Sequence, residues 1–292
     1  MTRPRPVAVA VACAWLLATA GCSGAVGGAG REPTATLTPA PIPEEPAGEL
    51  APGIGERRVT DPEVAATVHR SVLGATSYRV THERTVEGPN GTLHRVRWRV
   101  TVVPERRAYA INRSERTAPT YLGGGPDADI AVWYSDGTAR NRFVPSDGRP
   151  RYWGYEEEAD GRLRSRARAE TAVSTLAAFE YRVADERTVD GTRRYTLRGT
   201  RLVRPARLDV PAVLAAPRDA TLDAVVTEAG MVRSFELRYR ARYRERPVTV
   251  RSIYRVSAVG TATLPRPAWL AAANESVVGE DGRTPEDGDA SP

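Results

Sequence analysis

Phe235-Glu-Leu-Arg-Tyr-Arg-Ala-Arg-Tyr-Arg244 is the stretch that decides the fold. Phe235, Leu237, Tyr239, Ala241 and Tyr243 alternate without a break with Glu236, Arg238, Arg240, Arg242 and Arg244. A period of two sends successive side chains to opposite faces of a strand, so this segment has one face for a core and one for water. Val248 to Val256 continues the pattern after Glu245-Arg246-Pro247, which makes the pair a β-hairpin.

A second hairpin lies near the start of the folded region. Tyr78 to Glu87 and Leu93 to Val103 flank Pro89-Asn90-Gly91, where glycine suits a left-handed turn position. The turn pairs 78 with 102, 80 with 100 and 82 with 98. One face then carries Tyr78, Val80, Trp98, Val100 and Val102, and the other Glu83, Arg95, Arg97 and Arg99. Ahead of it, Asp61-Pro62-Glu63 reads as a helix start, with Asp61 as N-cap, Pro62 in the first helical position and Val64, Val68 and Val72 on one face. Tyr78-Arg-Val-Thr-His-Glu-Arg-Thr-Val-Glu-Gly88 matches Tyr181-Arg-Val-Ala-Asp-Glu-Arg-Thr-Val-Asp-Gly191 at eight of eleven positions. Each copy follows a helical stretch, the second being Glu170 to Phe179, so the chain reads as two similar halves or as strands that reuse one alternating pattern. The fold class expected is mainly β within α+β: a curved antiparallel sheet, or open half-barrel, with a few helices.

The ends of the chain say where it works. Arg3 and Arg5, an apolar run from Val7 to Ala20, and Gly21-Cys22-Ser23-Gly24 form an export signal over 1–21 that closes on a cysteine. The run is shorter than the roughly 18–20 apolar residues that span a bilayer. Ala20-Gly21 before Cys22 resembles the lipobox of exported lipoproteins, in which that cysteine is acylated; Thr19 departs from the usual aliphatic residue. Lipid-modified Cys22 would hold the protein to the extracytoplasmic face of the cell membrane. Residues 22–58 are a tether rich in Pro, Gly and Ala, 59–272 the folded domain and 273–292 an acidic, disorder-prone tail. With Cys13 and Cys22 as its two cysteines, the domain has no thiol for a disulfide, a nucleophile or a metal. All 42 basic residues are arginine, and the formal charge is +6. For an exported protein that charge points to an anionic membrane or envelope partner, or to a solvated face, ahead of nucleic acid.

A search for chemistry returns little, and neither a cofactor nor an enzymatic activity is expected. His82 and His94 share a face but stand about 13 Å apart by strand rise, too far to share a metal ion. Gly123-Gly124-Gly125 has no helix after it and reads as a flexible loop, and Glu156-Glu157-Glu158 as a solvated run. Three of the four asparagines, Asn90, Asn112 and Asn274, head N-glycosylation sequons.

The lipobox, the Asp-Pro-Glu helix, the Tyr-Arg-Val strand with its Asn-Gly-Thr turn, Val132-Trp-Tyr-Ser-Asp-Gly-Thr138 and Gly230-Met-Val-Arg-Ser-Phe235 through Arg266-Pro-Ala-Trp269 resemble an uncharacterised family of haloarchaeal lipoproteins. The family's sheet with helices is similar to the carriers LolA, LppX and LprG, in which an open half-barrel holds acyl chains. The net positive charge departs from the acidity usual in secreted haloarchaeal proteins. The resemblance implies an apolar or lipid ligand; Trp98, Trp133, Tyr239 and Tyr254, on strands expected to show an apolar face, would be its lining, and filling of a closed core is the alternative for these aromatics. The competing function is a non-enzymatic envelope module. It would dock an anionic surface-layer, glycan or lipid-headgroup partner through a basic face of Arg95, Arg97, Arg99, Arg238, Arg240 and Arg242.

Overall fold

The alternating segments become strands because each can bury one face against its neighbours, and neighbour order sets the architecture. The computed structural model describes residues 48–156 and 169–280. The export signal, Cys22, the tether to residue 47, Glu157, Glu158 and the tail from 281 lie outside the described residues. Strands β1 (Glu49–Ala51) and β2 (Ile54–Gly55) pair ahead of helix α1 (Pro62–Gly74). Six strands follow: β3 (Tyr78–Gly88), β4 (Gly91–Val103), β5 (Ala108–Thr117), β6 (Ala128–Ser135), β7 (Thr138–Pro145) and β8 (Arg151–Glu156). Helix α2 (Ala169–Ala177) leads into β9 (Phe179–Val189), β10 (Thr192–Leu202), β11 (Arg218–Thr227), β12 (Val232–Tyr243) and β13 (Arg246–Ser257), and helix α3 (Leu270–Glu280) comes last.

β3 to β13 form one antiparallel sheet in the order β8-β7-β6-β5-β4-β3-β13-β12-β11-β10-β9. Two meanders meet where β13 pairs with β3, and edges β8 and β9 leave the sheet open. The halves are not equivalent. β3 is paired on both sides at the centre, whereas β9, which carries the matching sequence, is an edge five strands away and runs antiparallel to β3. Residues 45–292 form one compact unit, and its core lies between Ala51 and Val256, so this unit holds its own core.

The first hairpin has the register its sequence requires: Tyr78 opposes Val102, Val80 opposes Val100 and His82 opposes Trp98. The turn is shorter than expected, because Gly88 already pairs with Gly91, and a bulge between Val86 and Glu87 absorbs the difference. At the β12–β13 corner Arg244 and Glu245 both have positive φ, 46° and 65°, the signature of a two-residue turn matched to strand twist. Arg246 and Pro247 therefore belong to β13 and not to the connection.

Asp61 caps α1, its Oδ1 accepting from the N–H groups of Glu63 and Val64 at 3.0 Å each. The buried stripe is Ala65, His69 and Leu73, one residue round from the valines; Val64 is 42% exposed. The helix is turned so that His69 Nδ1 accepts the Val232 N–H at 3.2 Å and Val68 lies over Gly230, where a Cβ would stand 2.6 Å from Val68 Cγ1. The domain also reaches beyond its expected bounds. Residues 49–57 dock on β9, where Tyr181 donates its N–H to Arg57 O at 2.8 Å and its hydroxyl to Gly55 O at 3.0 Å. At the other end α3 continues through 273–280 and packs on β7 and β8, with Tyr152 stacked on Trp269 and Arg140 Nε donating to Asn274 Oδ1 at 3.0 Å.

Candidate functional site

Strand parity gives the sheet an inner face, with Tyr78, Val80, His82, Arg84 and Val86 on β3 and their partners on each side. One end of this face is closed by α1, over Phe235 and Tyr254, whose rings stack at 5.4 Å. The other end lies under two loops. Tyr121, in the β5–β6 loop, stacks on His94 at 5.4 Å, and Tyr243 Oη binds this loop by donating to Thr120 O at 2.8 Å and accepting from Leu122 N at 3.0 Å. In the β10–β11 loop Asp209 receives Arg84 Nη1 at both its carboxylate, 3.1 Å, and its carbonyl, 3.2 Å. Between the loops and the sheet is a cleft of about 400 Å³ whose walls include Arg84, His94, Trp98, Arg113, Glu115 and Val213.

Polar chemistry is concentrated here. Glu115 accepts His94 Nε2 at 3.0 Å, the Gly125 N–H at 2.8 Å and Arg113. Burial would raise its pKa, but the Gly125 N–H, His94 and Arg113 outweigh burial and hold the carboxyl below its usual range. The Arg113 guanidinium lies 5.7 Å from the centre of the Trp98 ring, which stacks in turn on His82. The glycine run is a wall of the cleft: a Cβ on Gly124 would fall 2.7 Å from His94, and one on Gly123 2.4 Å from Val213. It reads as a flexible loop in sequence, yet glycine is required by close approach.

Seven buried side-chain polar atoms among the described residues lack a hydrogen-bond partner, and six gather at this end. Arg84 Nε, Arg113 Nε and His94 Nδ1 belong to lining residues. Thr117 Oγ1 and Tyr121 Oη flank the glycines, and Tyr239, whose hydroxyl burial makes harder to ionise, lies close to Arg84 and Tyr121. A buried polar atom without a partner costs about 1–3 kcal/mol, so such a cluster favours a ligand or water that can satisfy it. Two guanidinium N–H groups and three hydroxyls make the set rich in donors.

Of the four aromatics expected to line a cavity, Trp98 does so. Tyr254 and Tyr239 point to the same face but are core residues, 0% and 2% exposed. Trp133 pairs with Ala110 and Arg140, which places it on the opposite face. Arg95, Arg97, Arg99, Arg238, Arg240 and Arg242 do share that outer face, several of them in ion pairs: Arg97 and Arg95 with Glu83, Arg238 with Glu236, Arg240 with Asp219 and Arg242 with Glu245. Asn90 is exposed in its turn, Asn112 is exposed in the middle of β5, and Asn274 is half-buried on α3. Arg84, Arg113, Glu115 and the glycines were not singled out as site residues by the sequence; the one signal available was Arg84, a charge at an inward position of β3.

A protein-family model described as a family of unknown function, DUF7537, matches residues 7–273. No curated protein matches the chain. Among solved structures it is similar to a LolA superfamily protein from Nitrosomonas europaea, at 11% identity and a TM-score of 0.23, covering 70% of this chain and 94% of the other. It is also similar to a DUF1329 family protein from Desulfovibrio piger, at 10% identity and a TM-score of 0.26, covering 71% and 95%. At these TM-scores neither neighbour bears on function, which rests on the geometry of the cleft.

Proposed function

The chain belongs to DUF7537, a family of unknown function, and we propose that it is an exported, non-enzymatic binding protein, tethered to the membrane through lipidated Cys22, whose inner-face cleft takes a small amphiphile. The observation that carries this reading is the cluster of six unpartnered polar atoms at this end of the sheet, three of them on residues that line the cleft. Donors predominate, so the ligand's head is rich in acceptors, as a carboxylate, phosphate or polyol is. Its apolar part is supported by the rim. Four large hydrophobic side chains are exposed among the described residues, and two of them, Leu122 at 66% and Val213 at 37%, border this cleft. At about 400 Å³ the space falls within the range of about 300–1,000 Å³ typical of small-molecule sites. The likeness to acyl carriers read in the sequence agrees with this class of cargo.

The test is mass spectrometry of an organic extract from the protein purified, without detergent, from its own host's membranes. A stoichiometric amphiphile is expected, with less of it bound to a Val213→Asp variant, which sets a charge at an exposed rim position. An empty wild-type protein, or equal ligand in the variant, overturns the assignment.

A further inference from the structure

The sheet's other face carries an independent feature. On the seven neighbouring strands β12, β13, β3, β4, β5, β6 and β7, the outward positions hold twelve arginines (79, 95, 97, 99, 116, 140, 142, 238, 240, 242, 251 and 255) and four carboxylates (Glu83, Glu87, Asp129 and Glu236). The excess of eight exceeds the +6 of the whole chain. Asp219 and Glu245 reach in from β11 and the β12–β13 turn, which still leaves these positions with an excess of six among the described residues, Arg140 being bound to Asn274 of α3. The carboxylates are oversubscribed: Glu83 serves both Arg95 and Arg97, and Glu236 serves both Arg238 and Arg251.

The excess comes to a point in a shallow groove of about 240 Å³ over β4 to β7, where Arg97, Arg99 and Arg142 converge beside Asn112 and Ser114. Among the described residues Arg99 has no ion pair, and the buried Arg142 Nε has no hydrogen-bond partner. The carboxylate nearest to serve Arg142 is Asp129, and both its oxygens are taken by Arg116 at 3.0 Å. Guanidinium groups with free N–H donors suit phosphate oxygens, because the fork can engage two oxygens at once.

We propose that this outer face docks on an anionic lipid surface, with the Arg97–Arg99–Arg142 groove as the seat for a lipid phosphate. The domain then lies with its arginine face on the bilayer and its inner-face cleft on the opposite side of the sheet. A glycan on Asn112 would fill the groove, so modification of Asn112 and docking exclude each other.

Residues 45–292, made without glycosylation, are sedimented with vesicles of phosphatidylglycerol or phosphatidylcholine at low and physiological salt. Binding to phosphatidylglycerol alone is expected, weakening as salt screens the charges. Removing two guanidinium groups from the seat, Arg99→Ala with Arg142→Ala, is expected to weaken binding about 30-fold. Arg240→Ala with Arg242→Ala changes net charge equally but removes arginines outside the groove that are already paired with Asp219 and Glu245, so its loss is expected to be several-fold smaller. Arg99→Ala alone, at an exposed position without an ion pair, gives about fivefold and keeps the test readable should the double variant misfold. Equal losses from the two double variants would overturn the seat. No preference for phosphatidylglycerol would overturn docking on lipid and leave the face to an acidic protein partner.

Discussion

His69 should loosen this domain on acidification, ahead of the carboxylates, whose protonation begins at lower pH. It is 0% exposed on α1, and its ring joins the helix to the sheet. Nδ1 accepts the Val232 N–H at 3.2 Å, so the neutral ring carries its proton on Nε2, 3.5 Å from Tyr254 Oη. Burial, and then the neighbouring Arg70, lowers its pKa from 6.5 to about 4. Between these values the unfolded chain binds a proton that the folded one refuses, so stability rises with pH in that window. A gap of about 2.5 units at 1.36 kcal/mol each makes a loss of about 3 kcal/mol as the pH falls from 6.5 to 4. This group contributes no further change above or below the window. His69→Leu leaves the Val232 N–H without its partner and should cost about 1–3 kcal/mol at pH 7. It also removes the titration, so wild type and variant should converge near pH 4. Urea unfolding of residues 45–292 at pH 7, 5.5 and 4, followed by fluorescence, measures both curves. Parallel curves, with the variant below wild type by the same amount at each pH, would refute the argument.

Gly124→Ala sets a Cβ 2.7 Å from His94 and 2.8 Å from Thr117 Oγ1, and should destabilise the domain by about 1–3 kcal/mol and empty the cleft. A thermal midpoint and ligand content equal to wild type would contradict the close packing of the glycine loop. Intact mass of the protein from its native host should show lipid on Cys22 and a glycan on Asn90, the sequon exposed in a turn. An unmodified mass would contradict both, and Asn274, whose Oδ1 is bound by Arg140, should be the least occupied sequon.

The two hairpins were legible because period two is a local property: it names both faces of β3, β4, β12 and β13 without knowledge of the rest. Where alternation fails, so does the inference. Ile130-Ala-Val-Trp-Tyr134 is apolar throughout, and only the pairing of Trp133 with Ala110 and Arg140 assigns it to the outer face. Helix α1 misleads for a related reason. Val64, Val68 and Val72 form a plausible apolar stripe, but the hydrogen bond from Val232 to His69 and the fit of Val68 over Gly230 turn the helix by one residue. The one trace of the cleft in the sequence was Arg84, a charge at an inward position of β3, and it was not singled out.

The sequence by itself determined the strands of the two hairpins, their two faces and the cap of α1, all of which depend on residues a few positions apart. The tertiary structure alone decided which strands are neighbours, and with that the two features from which the proposals are argued. Arg84 meets Asp209 across 125 positions, and Leu122 meets Tyr243 across 121. The arginine face likewise exists only because β13 lies beside β3 and joins the two meanders. Such contacts are set by the packing of one whole sheet, in which each strand buries its apolar side against partners remote in the chain, so no local pattern could announce them.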